Sequence, residues 1–74
     1  MRKWLREMRT ERGITGAELA KALGVTQPEV THLELGRRKS TGLTVAQIVK
    51  IAALMKETPE AILRKEMEYL GANH

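Results

Sequence analysis

Three short stretches, Thr15-Gly-Ala-Glu18, Thr26-Gln-Pro-Glu29 and Thr44-Val-Ala-Gln47, share a pattern that marks the first turn of a helix. In it a Thr hydroxyl accepts from the amide three residues on, and the Glu or Gln there reaches back to the Thr amide. Each Thr also sits between an apolar pair, one residue before it and four after: Ile14 with Leu19, Val25 with Val30, Leu43 with Ile48. Such pairs staple the incoming chain to the first turn and fix its entry angle. A fourth start stands at Thr58-Pro59, with proline at the first helical position. Pro28 falls at the second position of the helix opened by Thr26, where an amide has no internal partner to lose.

Between these starts apolar residues recur at spacings of three and four, glycine and proline are sparse, and aromatic residues make up only 3% of the chain. That periodicity is helical, and the fold class it predicts is all-α. The pattern predicts five helices, at roughly 2–12, 16–23, 27–35, 45–55 and 59–70, with Gly71 capping the last. Connections are short, and "GRRKSTGL" is the one real loop. No repeat or low-complexity segment is present, so residues 1–74 read as a single domain, a compact bundle. Ile62 and Leu63 are expected to close its core. Trp4, Leu5 and Met8 are expected to pack in the core or at an interface.

With 74 residues and no cysteine, neither a disulfide framework nor a thiolate zinc site can reinforce so small a core. Packing, capping and self-association are expected to supply the stability. His32 and His74 build no metal site without carboxylate help, and no ligand cluster is visible. No nucleophile–base pair, paired carboxylates or phosphate-cradling loop is present either, so neither an enzyme nor a cofactor is expected. No apolar run approaches the roughly 18 residues needed to span a membrane, and Glu7 and Glu11 argue against a transit helix at the start. The expectation is a cytoplasmic protein with no membrane partner.

The formal charge of +4 is unevenly spread. Residues 1–12 carry five basic and two acidic side chains, residues 36–40 three basic and none acidic, and residues 41–74 four of each. Clustered positive charge favours a polyanionic partner.

The stretch from Gly16 to Leu35 meets the demands of two helices crossing steeply through a short turn. Ala20 is small enough for the crossing, and Gly24 tolerates positive φ in the turn. Leu19, Leu23, Val25, Val30 and Leu33 can face inward. The run "LREMRTERGITGAELAKALGVTQPEVTHLELGRRK", continued by "VAQIVKIAALMKETPEAIL", resembles the Cro/repressor-type helix-turn-helix family from Leu5 to Leu63. The most specific segments are "ELAKALGVTQ" and "LELGRR".

This resemblance implies a lambda-repressor-like domain whose second motif helix, 27–35, lies in the DNA major groove. It implies that Gln27, Pro28, Thr31 and His32 face bases, with Glu29 close by, and that Thr26, Arg37, Arg38 and Lys39 meet phosphates. It further implies an Arg9–Glu34 ion bridge between the first and third helices. The chemistry is compatible: glutamine can bond adenine N6 and N7 together, and a basic loop can neutralise phosphates whatever the sequence. Glu29 is expected to complete the Thr26 capping box. Three positions depart from the family pattern. Gly16 stands where relatives often carry Gln, Pro28 brings no donor to a reading position, and Lys56-Glu57 replaces the usual Gly-Val after the fourth helix.

The last predicted helix extends past the family's usual end with Met67, Tyr69 and Leu70, and these are expected to form a homodimer surface. A dimer would set two reading helices about one DNA turn apart on an inverted repeat. The expected function is a sequence-specific, homodimeric repressor without a small-molecule ligand, controlled by its own level or by a separate protein partner. The alternative is a protein-interaction module, an anti-activator or antitoxin-like protein, that keeps the fold with weakened DNA reading.

Overall fold

Helix starts in this chain are set by local side-chain chemistry, and the computed structural model, which describes residues 1–36 and 42–72, places them accordingly. Five helices follow in order: α1 (Lys3–Glu11), α2 (Gly16–Leu23), α3 (Gln27–Leu35), α4 (Val45–Met55) and α5 (Pro59–Ala72). Strands are absent among the described residues. Thr15 and Thr44 each form the complete capping box with Glu18 and Gln47. Thr58 caps α5 through a bond from the Ala61 amide, at 3.1 Å.

The third box does not form. Thr26 occupies the cap position of α3, yet its hydroxyl makes no capping bond. The Glu29 amide donates instead to the Thr26 carbonyl at 3.1 Å, closing a tighter first turn. The Thr26 hydroxyl and the Glu29 carboxylate therefore form no capping box.

Two glycines shape the motif. Gly24 ends α2 at φ 70°, and the Val25 amide returns to the Ala20 carbonyl at 3.0 Å, turning the chain steeply into α3. Gly36 ends α3 at φ 64°, donating to the His32 carbonyl at 2.9 Å. Left-handed backbone of this kind is costly for any residue with a Cβ. α4 lacks such a glycine, and Lys56 takes the left-handed position at φ 57°. Arg12 braces that corner, donating to the Met55 carbonyl at 3.0 Å and to Glu57 at 2.6 Å.

α2 lies at the centre, packed on α3 and α4, while α5 packs on α4 and α1 on α3. The core is Leu5, Leu19, Ala20, Leu23, Val30, Leu43, Ile48, Ile51, Ala52, Met55 and Ile62, with Trp4, Met8, Val25 and Leu33 partly buried against it. Ile62 closes the core as expected, but Leu63 does not: it is 46% exposed. One residue along a helix is a rotation of about 100°, and the inward line of α5 runs through Ile62 and Glu66. Gly71 does not cap α5 either; the chain keeps its helical course to Ala72.

Candidate nucleic-acid interface

α3 turns one side to the core and the other outward. Val30 and Glu34 are buried and Leu33 is half-buried. Thr26, Gln27, Pro28, Glu29, Thr31 and His32 are exposed. Gln27, Pro28, Thr31 and His32 fall at spacings of one, four and five, which place them on one continuous helix face. The four residues that the resemblance assigned to bases therefore share one outward surface.

Each of the four has a definite local setting. The Gln27 side chain lies across the start of α2, with Nε2 3.6 Å from where a Cβ on Gly16 would stand. A methyl group at Gly16 would meet it in ordinary van der Waals contact. Thr31 donates its hydroxyl to the Gln27 carbonyl at 3.3 Å, so the hydroxyl proton is directed at its own helix. What Thr31 offers outward is a methyl group and a lone pair. Pro28 offers only an apolar ring, suited to a thymine methyl. His32 and Glu29 border a cavity of about 160 Å³ that opens between α3 and the first turn of α4, beside Thr44 and Gln47.

The motif residues stand where the crossing requires them. Leu19 and Ala20 of α2 and Val30 of α3 are buried, Leu33 packs against the core, and Gly24 supplies the turn. Behind the outward face, two arginines fix the far end of α3. Arg9 forks onto Glu34, with Nε–Oε2 at 2.7 Å and Nη2–Oε1 at 3.2 Å, and also donates to the Ile14 carbonyl at 3.1 Å. This pair ties α1 to α3.

The second arginine has no counterpart in the sequence reading. Arg2 is 2% exposed and forks onto Glu66, itself 2% exposed, at 2.8 and 2.9 Å. Its remaining nitrogen donates to the Leu33 carbonyl at 2.6 Å, and its backbone amide to the Glu34 carbonyl at 2.7 Å. Glu66 also accepts from the Leu43 amide at 2.9 Å. The Tyr69 ring lies beneath the guanidinium, 4.6 Å away. A carboxylate at the inward position four residues after Ile62 was the available signal, because a charge is seldom buried without a partner. The partner, 64 residues away, could not be named from spacing.

Tyr69 and Leu70 take a different place from the stripe expected of them. Both are half-buried against their own chain. Tyr69 fills the space beside Gly36, and Leu70 approaches Gly42. Their helix positions explain it: 62, 66, 69 and 70 share the inward side of α5. Met67 stays outward at 60% exposure, joined by Leu63. Arg37, Arg38 and Lys39, expected to hold phosphate, lie outside the described residues.

Among the described residues, no helix is long and apolar enough to cross a membrane. Neither a curated protein nor a solved structure matches the chain. A helix-turn-helix family model matches residues 5–62, a span that runs from within α1 through α2, α3 and α4 to the start of α5 and contains the whole outward face of α3. The chain belongs to the Cro/repressor-type helix-turn-helix family, a family of DNA-binding regulators.

Proposed function

We propose that this protein is a cytoplasmic, sequence-specific double-stranded DNA-binding repressor that acts as a homodimer, with α3 in the major groove of each half of an inverted repeat. The observation that carries the reading is the outward face of α3. Gln27, Pro28, Thr31 and His32 are exposed together, on a helix whose far end is fixed by Arg9 and Arg2. In this reading Gln27 bonds an adenine, Pro28 and the Thr31 methyl meet thymine methyls, and His32 reaches a base from the flank. Thr26, whose hydroxyl makes no capping bond, meets a phosphate at the positive end of the helix. Arg37, Arg38 and Lys39 neutralise neighbouring phosphates and set the register. The dimer surface is the exposed flank of α5 around Met67.

Charge reversal tests this. Arg37→Glu with Arg38→Glu should abolish duplex binding while the helical circular dichroism and melting stay close to wild type. Undiminished binding would remove the basic segment, and with it this docking, from the account.

A second reading has one specific observation in its favour. Pro28 has no donor at a position that reads bases, and the uncapped Glu29 carboxylate adds negative charge beside it. A helix-turn-helix interaction module of anti-activator or antitoxin type would carry such a surface. It would bind a protein partner and leave the charge-reversed variant as active as the parent.

A further inference from the structure

We infer that Arg2 and Glu66 are positioning residues for DNA reading: their buried ion pair sets the tilt of α3, and sequence discrimination depends on it. The inference rests on the reading of α3 proposed above. The pair grips the C-terminal end of α3, the end away from Gln27.

Val30 is the α3 side chain sunk deepest in the apolar core. Leu33 and Gln27 lie three residues to either side of it, about 4.5 Å along the axis at about 1.5 Å per residue. With Val30 as pivot, a shift of the Leu33 backbone moves the Gln27 backbone by a similar distance the other way. A two-point base contact tolerates only about 0.5 Å of misplacement. The hold on the C-terminal carbonyls of α3 therefore decides whether Gln27, at its N-terminal end, is in register.

That end is held through its backbone. The last carbonyls of a helix have no internal partner, and Arg2 supplies donors to two of them, Leu33 at 2.6 Å and Glu34 at 2.7 Å. The guanidinium cannot drift, because its other two nitrogens are forked on Glu66 and its face rests on Tyr69. Glu66 is anchored in turn by the Leu43 amide just before α4. One carboxylate thus joins α5, the approach to α4 and, through Arg2, the axis of α3. Arg9 grips the same helix by the Glu34 side chain, whose rotamer can give. Arg2 grips the main chain.

The use of an ion pair here also needs a reason. Two apolar side chains of similar volume would often pack as stably as a buried ion pair. They could not donate to the Leu33 carbonyl. The charged pair is explained by placement, not by stability.

The test compares the affinity for the selected operator with that for random duplex, at one salt concentration, in four proteins. They are the wild type, Arg2→Met/Glu66→Gln, Arg2→Lys, and Ile48→Val as a core control on α4. The double variant removes both charges and keeps an acceptor for Leu43. Arg2→Lys keeps the charge but gathers its donors on one nitrogen, and so loses the planar fork that spans both Glu66 oxygens and the Leu33 carbonyl. The expected result is at least a tenfold fall in the operator-to-random ratio for both clasp variants. Their salt dependence should be unchanged, and Ile48→Val should keep the wild-type ratio. A ratio within twofold of wild type in the double variant would overturn the inference. So would an equal fall in Ile48→Val, which would make the effect one of general stability. If the double variant does not fold, Arg2→Lys decides by the same criterion. A wild type that selects no duplex would sink the functional reading and the positioning role together. A selective wild type with an unperturbed clasp variant would sink the clasp alone.

Discussion

Gly24 and Gly36 provide a matched pair of backbone positions with different surroundings. Both are left-handed, at φ 70° and 64°. A Cβ on Gly24 would meet nothing within 4 Å, whereas one on Gly36 would collide with the Tyr69 hydroxyl. Gly24→Ala should therefore cost only the left-handed penalty, about 1–2 kcal/mol. Gly36→Ala should cost the same penalty plus about 1–3 kcal/mol for displacing a packed side chain. A chain of this length is stable by about 4–11 kcal/mol, so both variants should be measurable by urea unfolding in the cold, followed by circular dichroism. The decisive comparison adds Tyr69→Phe, which removes the hydroxyl that fills the site. Gly36→Ala should become cheaper by about 1 kcal/mol or more in that background, while Gly24→Ala should cost the same in both. Equal costs for Gly36→Ala with and without the hydroxyl would refute the inward placement of Tyr69. The C-terminal part of α5 would then have to lie elsewhere.

Four further substitutions test separate parts of the account. Gln27→Ala should relax base preference at one operator position at a cost of about 1–3 kcal/mol, whereas Arg38→Ala should weaken all duplexes alike and lower the salt slope by about one. Competition binding against single-base operator variants separates the two, and an unchanged preference would remove Gln27 from the reading set. Ala20→Leu should overpack the crossing of α2 with its neighbours, at about 1–3 kcal/mol; a wild-type melting curve would undo the placement of the motif. Met67→Glu should convert a dimer to a folded monomer in sedimentation, because Met67 is 60% exposed and outside the core. A dimer that survives the change has its interface elsewhere.

What could be read from the sequence divides by the range of the interactions. The helix starts at Thr15 and Thr44 depend on side chains three residues apart, and they form as their sequence demands. Thr26 carries the same pattern, yet its hydroxyl makes no capping bond, a difference that the spacing alone does not carry. Ile62 and Leu63 are equally apolar; only the rotation of α5 on the core separates the buried one from the exposed one. The outward face of α3 was legible because its four residues are close in sequence on one helix. Its support was legible only in part. Arg9 and Glu34 followed from a family resemblance, whereas Arg2 and Glu66 are joined by packing across 64 residues. Tyr69 and Leu70 illustrate the same limit, since an apolar stripe looks alike whether it meets a second copy or its own chain.

The most direct measurement of the central claim is binding-site selection, with purified protein at moderate salt against a random duplex library. The expected result is enrichment of an inverted repeat with half-sites about one helical turn apart, and loss of preference at one position of each half-site with Gln27→Ala. A folded wild-type protein that leaves the library random would contradict it, and would leave Pro28 and Glu29 as marks of a surface that binds protein instead of DNA.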